Sequence, residues 1–203
     1  NGPLFNKLII FSIPLILSGM LQLLFNAADI VVVGQYAGKT ALAAVGGTGS
    51  LTNLLINIFM GLSIGANVLV ARFYGARQKK ELDEMIHTAI ATSIIAGIIL
   101  VFAGFFLARP ALSLMGTPED VIDQSVLYMR IYFAGITASM LYNFGAAILR
   151  AAGDTKGPLI YLTVAGVVNV VLNVVFVLLF DMDVDGVALA TTISQILSAM
   201  LVL

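Results

Sequence analysis

The chain has 203 residues, of which 60% are hydrophobic and 10% charged, whereas soluble domains run at roughly 45–50% apolar and about 25% charged. Lys and Arg number 10 against 11 Asp and Glu, which leaves no positive surplus for nucleic acid, and the lack of cysteine excludes disulfides, zinc–thiolate sites and thiol chemistry. A water-soluble enzyme of this size would need a charged exterior that this composition cannot supply, so the chain reads as an integral membrane protein.

The runs 8–28, 40–71, 88–108, 131–149, 157–180 and 186–203 contain no charged side chain. Each is about the length of a helix that crosses the hydrocarbon core, and none alternates apolar and polar residues as a membrane barrel strand does. The pattern predicts an all-α bundle of six transmembrane helices, with bodies near 8–34, 45–72, 87–108, 121–149, 158–180 and 186–203, forming one lobe over residues 1–203. The first apolar run is too long for a cleaved signal peptide and lacks a small-residue cleavage site.

Taken in order, the first span carries Pro14, which removes one backbone hydrogen bond and favours a kink. Gln22 and Asn26 follow at i,i+4 spacing, with Asp29 three residues beyond Asn26. Gly34 and Gly38 bracket the first turn. The second span repeats the amide spacing at Asn53 and Asn57, carries Gly61-x3-Gly65 as a site for close helix approach, and ends before Gly75. His87 stands at the inner end of the third span as a solvated interfacial histidine or, alternatively, a proton relay, and Pro110 is expected to end that helix. The fourth begins with Thr117 as N-cap and Pro118 at the first helical position, and carries Arg130, Tyr142 and Asn143. Arg130 either snorkels outward or pairs with an acid such as Asp123. Gly153 to Pro158 is a tight polar turn, and the fifth span carries Asn169 and Asn173, again i,i+4 on one helix face. The eight methionines are core gap-fillers or an adaptable binding surface.

Basic residues orient the bundle. With a cytoplasmic N-terminus, the inner side holds Lys7, Arg72, Arg77, Lys79, Lys80, Arg150 and Lys156, and the outer side only Lys39 and Arg109. The outer loops are acidic, through Glu119, Asp120 and Asp123 and through Asp181, Asp183 and Asp185. Both termini are therefore expected to be cytoplasmic, in a multi-pass protein of a cell membrane.

Polar groups within spans face protein or water. Asp29 is the only acid deep in an apolar helix, either as a buried carboxyl that can take up a proton or as a helix-end carboxylate at the interface. Asn169 and Asn173 are either part of a hydrated site or interhelical hydrogen-bonding glue. The abundance of amides exceeds what glue requires and suggests a hydrated cavity. Asp181-Met-Asp183-Val-Asp185-Gly186 imitates half of a calcium loop, but the position that needs a bidentate Glu is Thr192, so calcium is rejected. No nucleotide loop, metal-ligand pair or nucleophile–base arrangement supports an enzyme.

The residues resemble the N-terminal six-helix lobe of multidrug and toxic compound extrusion (MATE) transporters. The resemblance rests on Pro14 and Asp29, Val33-Gly34-x3-Gly38, Ala41-Leu42-Ala43-Ala44-Val45-Gly46, Gly61-Leu62-Ser63-Ile64-Gly65 and Tyr74-Gly75-Ala76-Arg77. It continues through Leu149-Arg150-Ala151-Ala152-Gly153-Asp154-Thr155-Lys156, Asn169 and Asn173, and Gly186-Val187-Ala188-Leu189-Ala190-Thr191. It implies secondary transport, the export of small amphiphilic or cationic compounds against inward H⁺ or Na⁺, with no other cofactor. Asp29 would be the cation-responsive group, and Asn169, Asn173 and Thr191 would complete an oxygen set able to hold Na⁺ together with Asp29. Gln22, Asn26, Asn53, Asn57, Tyr142 and Asn143 would line the substrate cavity, and Pro14 would gate. Many members carry an acid where this chain has Asn173, which weakens the case for Na⁺ and tilts the expectation toward H⁺. The family has two such lobes of twelve helices in all, so the chain is expected to be an N-lobe whose partners are a C-terminal lobe and membrane lipids.

Two other readings compete. A lipid-linked oligosaccharide flippase of the same superfamily would need basic residues in its cavity, where only Arg130 is available. A non-transporting helix bundle would have little use for the amide pairs, Pro14 and Asp29.

Overall fold

The computed structural model describes residues 4–203. Lys7, counted above among the inner charges, lies outside the described side chains. Seven α-helices follow one another: α1 (Leu4–Val32), α2 (Gly38–Gly75), α3 (Lys79–Leu114), α4 (Glu119–Ala134), α5 (Ile136–Ala151), α6 (Lys156–Leu179) and α7 (Val184–Val202). A π-helical turn, Val33–Ala37, joins α1 to α2.

By length and hydropathy, four helical stretches can cross a membrane, or five when the bent pair α4–α5 counts as one, and the first of them runs unbroken over Leu8–Gly75 for 68 residues. A straight helix of that length would measure about 100 Å, several times the hydrocarbon thickness. Asn26 and Asn57 would then lie about 46 Å apart, yet they line one cavity. The chain therefore doubles back at the π-helical turn, where Gly38 takes φ +88°, a backbone conformation that a side chain would strain. The stretch makes two arms, α1 and α2.

Sequence expectations shift at several ends. Pro110 does not end the third helix, because α3 continues to Leu114. Leu112 is fully buried in the apolar cluster that holds Leu100, Met129 and Phe133, and this packing offsets the one backbone bond that proline removes. Pro118, with ψ 146°, flanks α4 instead of opening it, and no side chain caps that end. Gly61 and Gly65 would meet nothing within 4 Å if each gained a Cβ, so they lie on an exposed face of α2 and bring no two described helices together. Asp123 pairs with Arg109 at 2.8 Å, and Arg130 points outward, exposed.

The expected fourth span is two helices, α4 and α5, which meet at 48° at Gly135. The Gly135 N–H donates to Tyr132 O at 3.2 Å, one residue short of its α-helical partner, Ile131 O. The Thr192 hydroxyl of α7 donates to that displaced carbonyl at 3.0 Å. A Cβ on Gly135 would sit 2.6 Å from Thr192 Cγ2, so only glycine admits this contact. Small residues let helices approach in the same way on α3, where Gly104 lies against Phe133. Such close packing, rather than transfer out of water, holds helices together in lipid.

The neighbour relations leave one side open. α7 packs on α4, α5 and α6, and α2 packs on α3, α4 and α5, while α1 rests almost entirely on α6. α1 and α2 hardly touch each other, so a gap remains between them.

Candidate functional site

Asp29 lies on α1 one turn before its end and is 8% exposed. The Asn173 amide on α6 donates from Nδ2 to Asp29 Oδ1 and to Asn169 Oδ1 at 3.3 Å. Asn169 donates from its own Nδ2 to Thr191 Oγ1 on α7 at 3.3 Å, and the Thr191 hydroxyl donates to Val187 O at 3.0 Å. Three helices thus converge on one chain of hydrogen bonds that ends at a carboxylate. The i,i+4 spacing of Asn169 and Asn173 puts both amides on the face of α6 that meets α1 and α7. Asn173 is fully buried, and its Oδ1 has no protein partner. Of the oxygens expected to hold Na⁺, those of Asp29, Asn169 and Thr191 gather here, whereas Asn173 presents its nitrogen.

The corner opens into a cavity of about 310 Å³ in the gap between α1 and α2. Gln22 and Asn26 line it from α1, Asn53 and Asn57 from α2, and Tyr142 and Asn143 from α5, together with Asp29, Asn169 and Thr191. Asn173 stands behind Asp29 and outside the lining. Pro14 is also outside it: α1 passes through Pro14 as one helix, fifteen residues or about 22 Å before Asp29.

The lining includes residues that the sequence reading missed. Tyr128 and Tyr132 of α4, with ring centroids 6.0 Å apart, form a wall, and Ser194, Gln195 and Ser198 extend the Thr191 face of α7. Their signal was an i,i+4 tyrosine pair and a polar stripe continuing one turn at a time from Thr191. Asp29 is the only charged residue in the lining.

Next to the cavity, polar groups of α2 and α5 are occupied. Asn67 Nδ2 on α2 donates to Ala147 O at 2.7 Å, and one turn away Ser63 Oγ donates to Asn143 O at 3.3 Å. The Tyr142 hydroxyl donates to Pro158 O at 2.9 Å, tying α5 to α6. These bonds tie α2 and α6 to α5.

The MatE family profile matches residues 14–175. The chain belongs to the MATE family. That family is one of transporters and not of enzymes. The chain is similar to the probable multidrug resistance protein YoeA of Bacillus subtilis, at 35% identity over 92% of this chain and 41% of that protein. It is also similar to the probable multidrug resistance protein YpnP of the same organism, at 32% identity over 96% of this chain and 44% of that protein. The crystal structure of MATE in the bent conformation superposes with a TM-score of 0.91 at 26% identity, covering 97% of this chain and 44% of that one. The chain therefore spans less than half the length of the relatives it matches, as a MATE lobe of membrane-crossing helices.

Proposed function

We propose that this chain is one lobe of an antiporter that exports small amphiphilic, often cationic compounds in exchange for H⁺ or Na⁺. The carrying observation is that Asp29, the only charge on the cavity wall, is also the end point of the α1–α6–α7 hydrogen-bond chain. One carboxylate then serves two cations in turn. Ionised, it favours the state that holds a cationic substrate, and neutralised from outside by a proton or Na⁺ it favours release. The ion drives exchange only by binding one state better than the other.

The proton is the favoured coupling ion. With the Asn173 nitrogen turned toward Asp29, the corner offers a cation few free oxygens, whereas a proton needs only the carboxylate. A second six-helix lobe would cover the open side between α1 and α2, with lipid around the rest. Both ends of this lobe would be cytoplasmic, in a bacterial or archaeal membrane, and the π-helical turn would face outside. Repacking of α1 about Pro14 would be the gating movement. A flippase for anionic lipid-linked sugars is disfavoured because the cavity lining contains no Lys or Arg.

The test is dye efflux from proteoliposomes under imposed pH or Na⁺ gradients, comparing the unaltered protein with Asp29→Asn. Efflux driven by a pH gradient and lost in the variant is expected. Undiminished efflux by the variant would overturn the assignment.

A further inference from the structure

The polar turn between α5 and α6 has no part in the cavity around Asp29. It lines a second pocket, also of about 310 Å³, together with Ile10 and Phe11 of α1. Ile10 stands about 28 Å before Asp29 along the helix. Ile10 and Phe11 are both exposed, so the apolar wall of this pocket continues onto the open surface of α1. Two residues could cap α6, and they divide the task. Asp154 Oδ1 accepts from Lys156 N at 3.0 Å and from Gly157 N at 2.9 Å. Thr155, at the N-cap position, makes no side-chain capping bond. It is only 8% exposed, and among the described residues its hydroxyl makes no hydrogen bond. Unlike the hydroxyls of Thr52 and Ser125 it is not sealed in, so the pocket is where a partner reaches it. Among the described residues, Asp154 Oδ2 accepts no hydrogen bond, and Lys156 has no carboxylate partner.

We propose that this pocket holds one phospholipid with a primary-amine headgroup, of the phosphatidylethanolamine class. The Thr155 hydroxyl and the Lys156 ammonium donate to its phosphate. The lipid ammonium donates to Asp154 Oδ2, and an acyl chain lies along Ile10 and Phe11. Phosphatidylcholine carries the same net charge but no N–H, so it cannot make the charge-assisted bond to the carboxylate. Phosphatidylglycerol brings a net negative charge toward Asp154 and no cation to meet it. Soluble phosphoethanolamine shares the headgroup but leaves the apolar wall uncovered. The α1 wall of the pocket lies one turn before Pro14, so a bound lipid ties that segment of α1 to the α5–α6 turn. The site does not depend on which substrate or ion the Asp29 cavity handles.

Native mass spectrometry of the purified protein in detergent micelles tests the assignment. Titration with palmitoyl-oleoyl phosphatidylethanolamine, phosphatidylcholine or phosphatidylglycerol gives the affinity for the first lipid bound. Phosphatidylethanolamine is expected to bind about threefold or more tighter than either of the others. Asp154→Asn keeps an oxygen for the two capping N–H groups and removes the charge. It should bring phosphatidylethanolamine down to the level of phosphatidylcholine, with the melting temperature unchanged. Lys156→Gln should weaken all three lipids, and excess soluble phosphoethanolamine should displace none. Should Asp154→Asn lose stability, Thr155→Val leaves the cap intact and should weaken all three lipids. Equal binding of phosphatidylethanolamine and phosphatidylcholine overturns the proposal, as does a preference for phosphatidylglycerol. So do an ethanolamine preference that survives Asp154→Asn, undiminished binding by Lys156→Gln or Thr155→Val, and displacement by the soluble headgroup.

Discussion

The corner around Asp29 and the packed wall of α3, α4 and α5 both contain polar residues, and they treat them in opposite ways. On α3 of that wall, hydroxyls turn back on their own helix: Ser93 donates to Ile90 O and Thr92 to Thr88 O, each at 2.7 Å. Such a bond is the cheapest solution for a hydroxyl in lipid and asks nothing of a neighbour. In the corner, side chains bond to side chains on other helices or one turn away. Among the described residues, the only such bond elsewhere is that of Arg109 with Asp123, at the exposed surface. A hydroxyl satisfied by its own helix leaves its neighbours free to move, whereas the side-chain chain from Asp29 ties the positions of α1, α6 and α7 to one carboxylate.

The strongest way to break this contrast is Asp29→Asn. The carbonyl oxygen of the new amide can still accept from Asn173, so insertion and thermal stability should stay near those of the unaltered protein while export is abolished, read as dye efflux beside a melting curve. A parallel loss of stability would make the corner structural, like the wall. Next comes Gly104→Ala, whose methyl has no room against Phe133. It should cost about 1–3 kcal/mol by overpacking, visible as a lowered Tm in detergent, with the cavity residues untouched. Thr192→Val preserves shape but strands Ile131 O, and about 0.6–1.7 kcal/mol of destabilisation is expected, while Thr192→Ser should restore most of it. The smallest effect belongs to Asp123→Asn: its partner Arg109 is 60% exposed, so the change in Tm should lie within measurement error, since solvent screens such pairs.

The long apolar helices were readable because charge is excluded from hydrocarbon, and the gaps between charges mark them directly. The Asp29–Asn173 contact was readable in outline, since an acid and an amide pair in otherwise apolar helices must find partners. Three features were hidden for physical reasons. Glycine is common in membrane helices, so nothing marked Gly135 as a break while leaving Gly61 and Gly65 idle on an open face. Pro110 looked like a terminator because the sequence does not reveal that Leu112 beyond it is held in a core. Ser194, Gln195 and Ser198 passed as ordinary helix residues, because a serine in lipid usually bonds its own backbone, as the Ser194 and Ser198 hydroxyls also do here.

The bend at Gly135 also couples two walls of the cavity. Tyr132 precedes the bend and Tyr142 follows it, so the angle between α4 and α5 sets how these two lining side chains are disposed. The carbonyl of Ile131, left by Gly135 N–H, is taken up by the Thr192 hydroxyl of α7. The helix that carries Thr191 to the Asp29 corner is thus also hydrogen-bonded, one residue on, to the bend that shapes the opposite lining.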